Sequence, residues 1–327
     1  MEYRRLGRTG RDVSVVGFGA WAIGGGWGTV DDADSLRALH AAADAGVTLI
    51  DTADVYGDGH SEQVIRRFLA ERPGERFFVA TKMGRRAPLD MAEYTPDAFR
   101  AWTDRSRENL GVDTLDLVQL HCLHPSVYYH PETFAALDEL VAAGAIAGYG
   151  VSVERVEEAL KAIEFPGLAT VQVIFNMFRQ RPAERFLAEA ARRDIGVLAR
   201  VPLASGLLTG KLTAATRFEA TDHRLYNRHG EQFDVGETFA GVDYETGLAA
   251  VEELRALVPE GATLAQLAIR WILMHEGITT TIPGAKTPEQ ARANAAAADL
   301  PPLPPATMAR VAEVYAARIK PLVHQRW

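Results

Sequence analysis

The sequence has little of what marks secreted, nucleic-acid-binding or membrane-spanning proteins. Cys122 is the single cysteine among 327 residues, so no internal disulfide can form and nothing indicates secretion. Acidic residues outnumber basic ones by 43 to 35, and the net charge of −8 argues against a nucleic-acid partner, which needs a basic face. No apolar run approaches the roughly 18 residues of a membrane span. We therefore expect neither a nucleic-acid nor a membrane partner.

The N-terminal segment and the overall composition are those of an ordinary globular chain. Residues 1–6 lack the apolar core of a signal peptide, which leads us to expect a cytoplasmic protein. The hydrophobic fraction of 47% and the charged fraction of 24% are typical of a folded domain. A length of 327 residues suits one large α/β domain or two average ones. A homo-oligomer is left open.

A unit of one apolar strand followed by one amphipathic helix recurs along the chain. The helical segments show the 3.6-residue spacing of apolar residues, and strands that alternate with helices indicate parallel pairing. The predicted strands are 15–21, 47–52, 77–81, 115–120, 147–152, 170–175, 196–201 and 278–282. The predicted helices are 32–45, 61 onward, 95–110, 132–143, 153–163, 182–193, 243–258, 263–276 and 305–319.

Eight such units predict one α/β domain over 1–327, a closed (β/α)₈ TIM barrel with extra helices towards the C-terminus. Residues 3–16 alternate around a turn at 7–10 and predict an N-terminal β-hairpin that plugs one end. The polar segment 204–244 exceeds a minimal barrel. Its basic residues indicate a solvated loop, and the alternative is that they contact an anionic or sugar substrate. These residues are Arg217, His223, Arg224, Arg228 and His229.

Four reactive side chains follow the ends of three predicted strands. Asp51 ends one strand and Tyr56 follows it, while Lys82 and His121 end the next two. Alone, each would more often be a turn former, a packing residue, a solvated charge or a core histidine. In a barrel of parallel strands, however, these ends meet at the rim where active sites are built. The joint placement therefore predicts a catalytic site.

The four side chains suit delivery of a proton to a carbonyl oxygen. A tyrosine has a reference pKa of about 10, and an adjacent ammonium lowers it by favouring the phenolate. A lowering of about three units would need roughly 4 kcal/mol. We expect Lys82 to supply this, with Asp51 holding the ammonium in place. His121 would orient the carbonyl oxygen or share its proton.

A phosphate site is predicted at 280–290, where a strand, a glycine turn and a helix start follow one another. The alternative is an ordinary helix begun by a proline. No Gly-x-Gly-x-x-Gly stands in the context of a Rossmann site. His121, Cys122 and His124 lie close together in the sequence, but no further ligand follows at the spacing of a metal site. We therefore expect no metal. Aromatic residues near the rim, Trp21, Trp27, Tyr128 and Tyr129, either line a substrate pocket or pack.

Several segments together resemble the aldo-keto reductase superfamily. They are 5–10, 46–62, 81–82, 115–121, 202–211 and 282–294, and the loop 21–26 is similar to that of a bacterial branch. The resemblance implies an NADPH-dependent carbonyl reductase that acts reversibly on an aldehyde or ketone. In that family pattern Tyr56 is the proton donor, Lys82 lowers its pKa, Asp51 pairs with Lys82 and His121 positions the carbonyl.

The resemblance also implies a set of NADP(H)-binding residues. Ser152 and Gln172 would hold the nicotinamide carboxamide, and Lys286 would favour NADPH by meeting its 2′-phosphate. Arg200 is a departure, because many members carry an aromatic residue there that stacks on the nicotinamide, and arginine can itself stack on such rings. The full set is Ala20, Trp21, Asp51, Ser152, Gln172, Arg200, Val201, Leu203, Ser205, Gly206, Lys211, Gly284, Lys286, Gln290 and Asn294.

Two other functions share these features. The same fold resembles the nicotinamide-binding β-subunits of potassium channels, so a regulatory subunit is one alternative. A Schiff-base aldolase that uses Lys82 as a nucleophile is the other. Neither the substrate nor the preferred direction of reaction is readable from the residues.

Overall fold

Eight parallel strands form one curved sheet in the computed structural model, which describes residues 1–28 and 30–327. In chain order they are β3 (Phe18–Gly19), β4 (Leu49–Asp51), β5 (Phe78–Met83), β6 (Leu117–His121), β7 (Tyr149–Ser152), β8 (Leu168–Ile174), β9 (Gly196–Arg200) and β10 (Thr280–Thr281). Each pairs with its sequence neighbour. A parallel bridge between Val16 and Thr281 joins the first and last strands, so the sheet closes as predicted.

Helices follow the strands around the outside. They are α1 (Asp32–Asp44), α2 (His60–Ala70), α3 (Pro96–Leu110), α4 (Pro131–Ala142), α5 (Val156–Ala162), α6 (Phe186–Arg192), α7 (His223–Tyr226), α8 (Tyr244–Arg255), α9 (Leu264–Leu273), α10 (Pro288–Ala296), α11 (Pro305–Val314) and α12 (Lys320–Val323). Sequence signals set several ends: the Thr95 hydroxyl caps α3, and Gly111, in the left-handed conformation, ends it. Within the described residues, no helix is long and apolar enough to cross a membrane.

The predicted hairpin, β1 (Tyr3–Arg5) and β2 (Asp12–Ser14), covers the amino-terminal end of the barrel. Leu6, at the beginning of its turn, is fully buried among barrel residues including Leu49, Leu117 and Leu198. Gly7 next to it lies against the backbone of Gly196 with a φ of +47°, where a Cβ would collide. The hairpin therefore plugs one end and leaves the rim at the other end for the site.

Several predicted boundaries differ from the structure. The strand expected over 15–21 keeps ladder pairing only at Phe18–Gly19, since residues 15–17 bond to β10 instead. The helix expected over 182–193 splits into a 3₁₀ turn that contains Pro182 and the shorter α6. The helix expected from Ser61 begins at His60, and the Ser61 hydroxyl donates to the Ala20 carbonyl inside the core.

The segment 204–244 is only in part the solvated loop that was predicted: Arg217 and His229 are exposed, but other basic residues are packed. His223 is fully buried, with its ring 4.6 Å from that of Trp21 and 4.4 Å from that of Trp27. The Arg224 guanidinium lies over the rings of Trp27 and Phe218. Arginine stacks on aromatic faces while keeping its charge, and this segment uses that property to fold back over the rim.

Candidate active site

Asp51 and Lys82 form a buried ion pair at the carboxyl ends of β4 and β5. The Lys82 ammonium lies 2.5 Å from Asp51 Oδ1 and also donates to the Thr52 carbonyl at 2.8 Å. Burial works against a charge here, but Asp51 and Tyr56 together outweigh it, and the pKa of Lys82 is raised. The other Asp51 oxygen accepts from Gln172 Nε2 at 2.7 Å. The lysine is thus held as a cation in a fixed position.

Tyr56 completes the predicted chain of contacts, with its hydroxyl 3.5 Å from the Lys82 ammonium. The expected net lowering of its pKa does not occur. Burial raises the pKa of Tyr56, and the opposing effect of Lys82 is weakened because Asp51 neutralises that ammonium. The phenol is therefore protonated at neutral pH, which is the form a proton donor needs.

His121 is the fourth predicted residue, and its ring lies edge-on to that of Tyr56 with 5.9 Å between centroids. Burial, helped by the charges of Arg85 and Lys82, lowers the pKa of His121 well below its usual range. The imidazole is therefore neutral, so one ring nitrogen carries a hydrogen. Within the described residues the buried Nδ1 has no hydrogen-bond partner, so the tautomer with its hydrogen on Nε2 is the one that leaves no unpaired N–H at this buried nitrogen.

Tyr56 and His121 line a cavity of about 840 Å³ at this rim. One wall is aromatic: Trp21 stacks against Tyr56 at 6.1 Å and meets Phe233 at 6.0 Å. The lining also includes the charged residues Arg85, Glu154 and Glu237. The volume lies in the range of small-molecule sites, which are mostly apolar with a few directed polar groups.

Comparison with known proteins agrees with this fold and rim. Residues 15–316 match the model of the aldo/keto reductase family. The chain belongs to that family. Aldo-keto reductase YhdN of Bacillus subtilis is 34% identical over 303 residues, covering 90% of this chain and 87% of the relative. The NADH-specific methylglyoxal reductase of Escherichia coli is 30% identical, covering 90% and 93%. An aldo-keto reductase structure from Klebsiella pneumoniae, in complex with NADPH, has a TM-score of 0.71 at 25% identity, covering 96% and 95%.

In this aldo/keto reductase the residues predicted to bind the carboxamide lie next to the tetrad, the four predicted catalytic residues Asp51, Tyr56, Lys82 and His121. In the sheet register His121 lies beside Ser152, and Ser152 beside Gln172. The Ser152 hydroxyl has only a weak contact, 3.8 Å to Cys122 Sγ. The Gln172 nitrogen donates to Asp51, which leaves its amide oxygen as an acceptor. Directly after β3, Ala20 is fully buried and its backbone N–H donates to the Asp51 carbonyl.

The predicted pyrophosphate loop follows β9 and is strongly bent. Val201, Ser205 and Gly206 have φ values of 53°, 52° and 99°, and successive turns of this kind expose backbone N–H groups that bind anions. The Ser205 side chain is already engaged: it donates to the Glu237 carbonyl and accepts from the Phe239 N–H, both at 3.0 Å. Leu203 is half-buried within the loop, and Lys211 is exposed beyond it.

The predicted adenosine site holds its own turn together. Gln290 accepts from the Lys286 N–H at 2.8 Å, and Asn294 donates to the Gly284 carbonyl at 3.1 Å. The Lys286 ammonium donates to the carbonyl of Trp27. Both amide side chains lie on one face of α10 as the spacing predicts, but they bind the turn that begins the helix. A ligand would meet the turn that they shape.

Arg200, the departure from the family pattern, is buried in a charged cluster that the sequence did not reveal. Its Nη2 lies 3.0 Å from Glu154 Oε2 and 3.1 Å from the Val153 carbonyl, and its Nη1 lies 3.8 Å from Glu237. Arg85 Nη1 donates to Glu237 Oε1 at 2.9 Å. Burial raises the pKa of Glu154 to about 8. Protonated Glu154 can therefore share its hydrogen with ionised Glu237.

These residues also form the one metal-like grouping among the described residues, because ligand atoms of Cys122, Glu154 and Glu237 lie within 4.8 Å of one another. The Arg85 and Arg200 guanidinium groups already lie against Glu237 and Glu154, and a cation placed among these carboxyl groups would be repelled by both. The arrangement favours ion pairing over metal binding.

Arg85 and Glu154 could have been found from sequence, since each follows the end of its strand by two residues. Glu237 could not, because no periodic segment surrounds it.

Proposed function

We propose that this protein reduces an aldehyde or ketone to an alcohol with NADPH, reversibly, and that Tyr56 is the proton donor. The observation that carries the proposal is the contact chain from Asp51 through Lys82 to the Tyr56 hydroxyl, on the wall of a cavity that also exposes His121. A fixed ammonium beside a protonated phenol is suited to stabilise the phenolate that forms as the proton leaves.

The roles follow from the charge states. When bound, NADPH supplies the hydride that adds to the carbonyl carbon, leaving NADP⁺. Tyr56 donates its proton to the carbonyl oxygen, and the Lys82 ammonium stabilises the resulting phenolate until solvent returns a proton. Neutral His121 can donate a hydrogen bond to the same oxygen without competing as an acid, because burial lowers its pKa. Asp51 keeps Lys82 charged and in place.

The residues present fit a nicotinamide dinucleotide. The free Ser152 hydroxyl and the Gln172 amide oxygen match the donor and acceptor of a carboxamide. The N–H groups of Ala204 and Gly206 already donate to carbonyls of the bent loop 201–206. We therefore propose that the remaining N–H groups of this loop and of the start of α10 meet the phosphates. Lys286 supports NADPH, as does the relative bound to NADPH, whereas the Escherichia coli relative is NADH-specific.

The first test combines cofactor titration with turnover. NADPH and NADH would be titrated by quenching of tryptophan fluorescence, to which Trp21 should contribute, and then consumption at 340 nm would be followed with 4-nitrobenzaldehyde. We expect wild type and Tyr56→Phe to bind NADPH alike, with turnover only in wild type. Binding without turnover on any carbonyl would favour the regulatory-subunit alternative, and no binding would reject the cofactor.

A second test addresses the cofactor preference. Lys286→Met removes the cation proposed to meet the 2′-phosphate, and a charge-assisted hydrogen bond contributes about 1.5–3 kcal/mol. We expect the Kd for NADPH to rise by roughly 10-fold or more, with no change for NADH and none in the control Lys161→Met. An equal effect on both cofactors would show that Lys286 does not read the phosphate.

A further inference from the structure

The substrate end of the cavity carries paired opposite charges where an apolar wall would serve a purely hydrophobic carbonyl compound. Arg85 and Glu237 both line the cavity that Tyr56 and His121 share. The Arg85 guanidinium lies 5.3 Å from the Phe233 ring, Phe233 meets Trp21 at 6.0 Å, and Trp21 stacks on Tyr56, so contacts along the cavity wall link the pair to the proposed proton donor.

The pair has unused hydrogen-bonding capacity. Arg85 has five N–H donors, and its single hydrogen bond among the described residues is the one to Glu237 Oε1. Glu237 is acceptor-only while ionised, and despite burial the charges of Arg85 and Arg200 hold its pKa well below the usual range. The cavity therefore presents a donor-only group beside an acceptor-only group. A hydroxyl can satisfy both, because it donates and accepts.

Other ligand chemistries fit less well. A metal ion would face the guanidinium groups of Arg85 and Arg200, which already contact the carboxylates. A carboxylate or phosphate on the substrate would gain from Arg85 but be repelled by the ionised Glu237 next to it. A purely apolar substituent would take water from the ion pair without meeting the Arg85 N–H groups that Glu237 does not bind, which is costly.

The pair is also held rigidly from behind. Arg200 contacts both Glu237 and Glu154, and protonated Glu154 can donate to Glu237. The Arg85 guanidinium also lies 5.3 Å from the centre of the Phe233 ring, within the range of a cation–π contact. Trp21 and Phe233 offer apolar faces on the same cavity for the C–H groups of a ligand. Preorganised groups of this kind lose little entropy on binding.

We propose that Arg85 and Glu237 bind hydroxyl groups on the carbons next to the reacting carbonyl, so that the substrate is a polyhydroxylated aldehyde or ketone. This inference rests on the proposed carbonyl reduction and adds the class of substrate. The two residues form no covalent bond; they place the carbonyl against Tyr56 and His121. A site built to hydrogen-bond a hydroxyl discriminates strongly against an analogue that lacks it.

The test compares matched substrates with the wild-type protein. Initial rates with NADPH would be measured for glyceraldehyde against propanal, with succinic semialdehyde as an anionic substrate and 4-nitrobenzaldehyde as an apolar one, each corrected for its hydrated fraction. We expect kcat/KM for glyceraldehyde to exceed that for propanal by about 100-fold or more. The anionic and apolar substrates should resemble propanal.

Each outcome has a distinct meaning. Similar values for glyceraldehyde and propanal would overturn the inference while leaving carbonyl reduction intact. A preference for succinic semialdehyde would overturn it in favour of Arg85 binding an anion. No turnover of any carbonyl would reject the proposed function, and the inference with it.

A variant pair then assigns the preference to Glu237. Glu237→Gln keeps the shape but removes the charge, and we expect the ratio of glyceraldehyde to propanal to fall at least 10-fold, chiefly through KM for glyceraldehyde. The matched control is Glu231→Gln, an exposed position in the same segment that should keep the ratio. Folding would be checked by NADPH binding, and Glu237→Asp should restore part of the ratio. An unchanged ratio of glyceraldehyde to propanal in a folded Glu237→Gln protein would show that Glu237 does not select for the substrate hydroxyl groups.

Discussion

Replacing Lys82 with methionine separates its role in catalysis from its role in folding. A unit charge 3.5 Å from the Tyr56 oxygen interacts with a phenolate by about 4.7 kcal/mol at an effective dielectric constant of 20. Asp51, 2.5 Å from the same ammonium, offsets part of this. We therefore expect the rate of carbonyl reduction to fall by between about 100-fold and about 3,000-fold, since each tenfold corresponds to roughly 1.4 kcal/mol.

The same substitution leaves Asp51 buried without its counter-ion, and breaking a buried pair on one side costs about 3–5 kcal/mol of stability. The double variant Asp51→Asn and Lys82→Met removes both charges. It should recover most of the free energy of unfolding but none of the rate. Urea denaturation and single-turnover reduction at saturating NADPH measure the two quantities, with Lys161→Met as a control for loss of a lysine.

Two results would refute this reasoning. A folded Lys82→Met protein that loses less than tenfold in rate would show that the ammonium does not stabilise the phenolate. A double variant that regains the rate together with the stability would show that the ion pair acts only as a structural support.

Three further predictions concern pH and packing. Because burial raises the pKa of Tyr56, kcat/KM for reduction should stay flat from pH 6 to 9 and fall only as pH rises above about 10. Alcohol oxidation needs the phenolate, so its rate should increase with pH. A fall in reduction centred near pH 7 would contradict this prediction. The pKa of Glu154 is raised to about 8, so its contribution to stability is full below about pH 4.3 and is lost as pH rises through 8. In the wild type the free energy of unfolding should therefore fall by up to about 1.4 kcal/mol per pH unit in this range. Urea denaturation of Glu154→Gln should show no such decrease. Leu6→Ala should lower the free energy of unfolding by about 2–5 kcal/mol, because Leu6 is fully buried in the plugged end of the barrel; a loss below 1 kcal/mol would show that the hairpin is dispensable.

The barrel and the tetrad were predictable because they depend on periodic signals. Asp51, Lys82 and His121 each end an apolar strand, and parallel strands bring such ends to one rim. The register then places His121, Ser152 and Gln172 in one row. Roles carried by spacing along regular elements can be read from a sequence in this way.

Properties that depend on burial and on irregular segments could not be read. The net direction of the Tyr56 pKa shift follows from how completely the ring is desolvated, which no local pattern encodes. Glu237 reaches the cavity from a segment without a periodic pattern. Its ion pairs with Arg85 and Arg200 are visible only in the folded structure, because the three residues are distant in sequence. His223 and Arg224 looked like solvent-facing residues because their aromatic partners are distant in sequence.

The hydrogen bond between Lys286 and the Trp27 carbonyl connects the two ends of the site. The segment 21–28 that accepts this bond also carries Trp21, which stacks on Tyr56. A phosphate that binds the Lys286 ammonium must compete with the Trp27 carbonyl for it. Loss of that hydrogen bond would remove one of the contacts that hold the segment 21–28, which forms the aromatic wall of the substrate cavity. Occupancy at one end is then energetically linked to occupancy at the other, and such linkage is reciprocal: whatever factor a 2′-phosphate applies to substrate affinity, the substrate applies to the affinity for that phosphate.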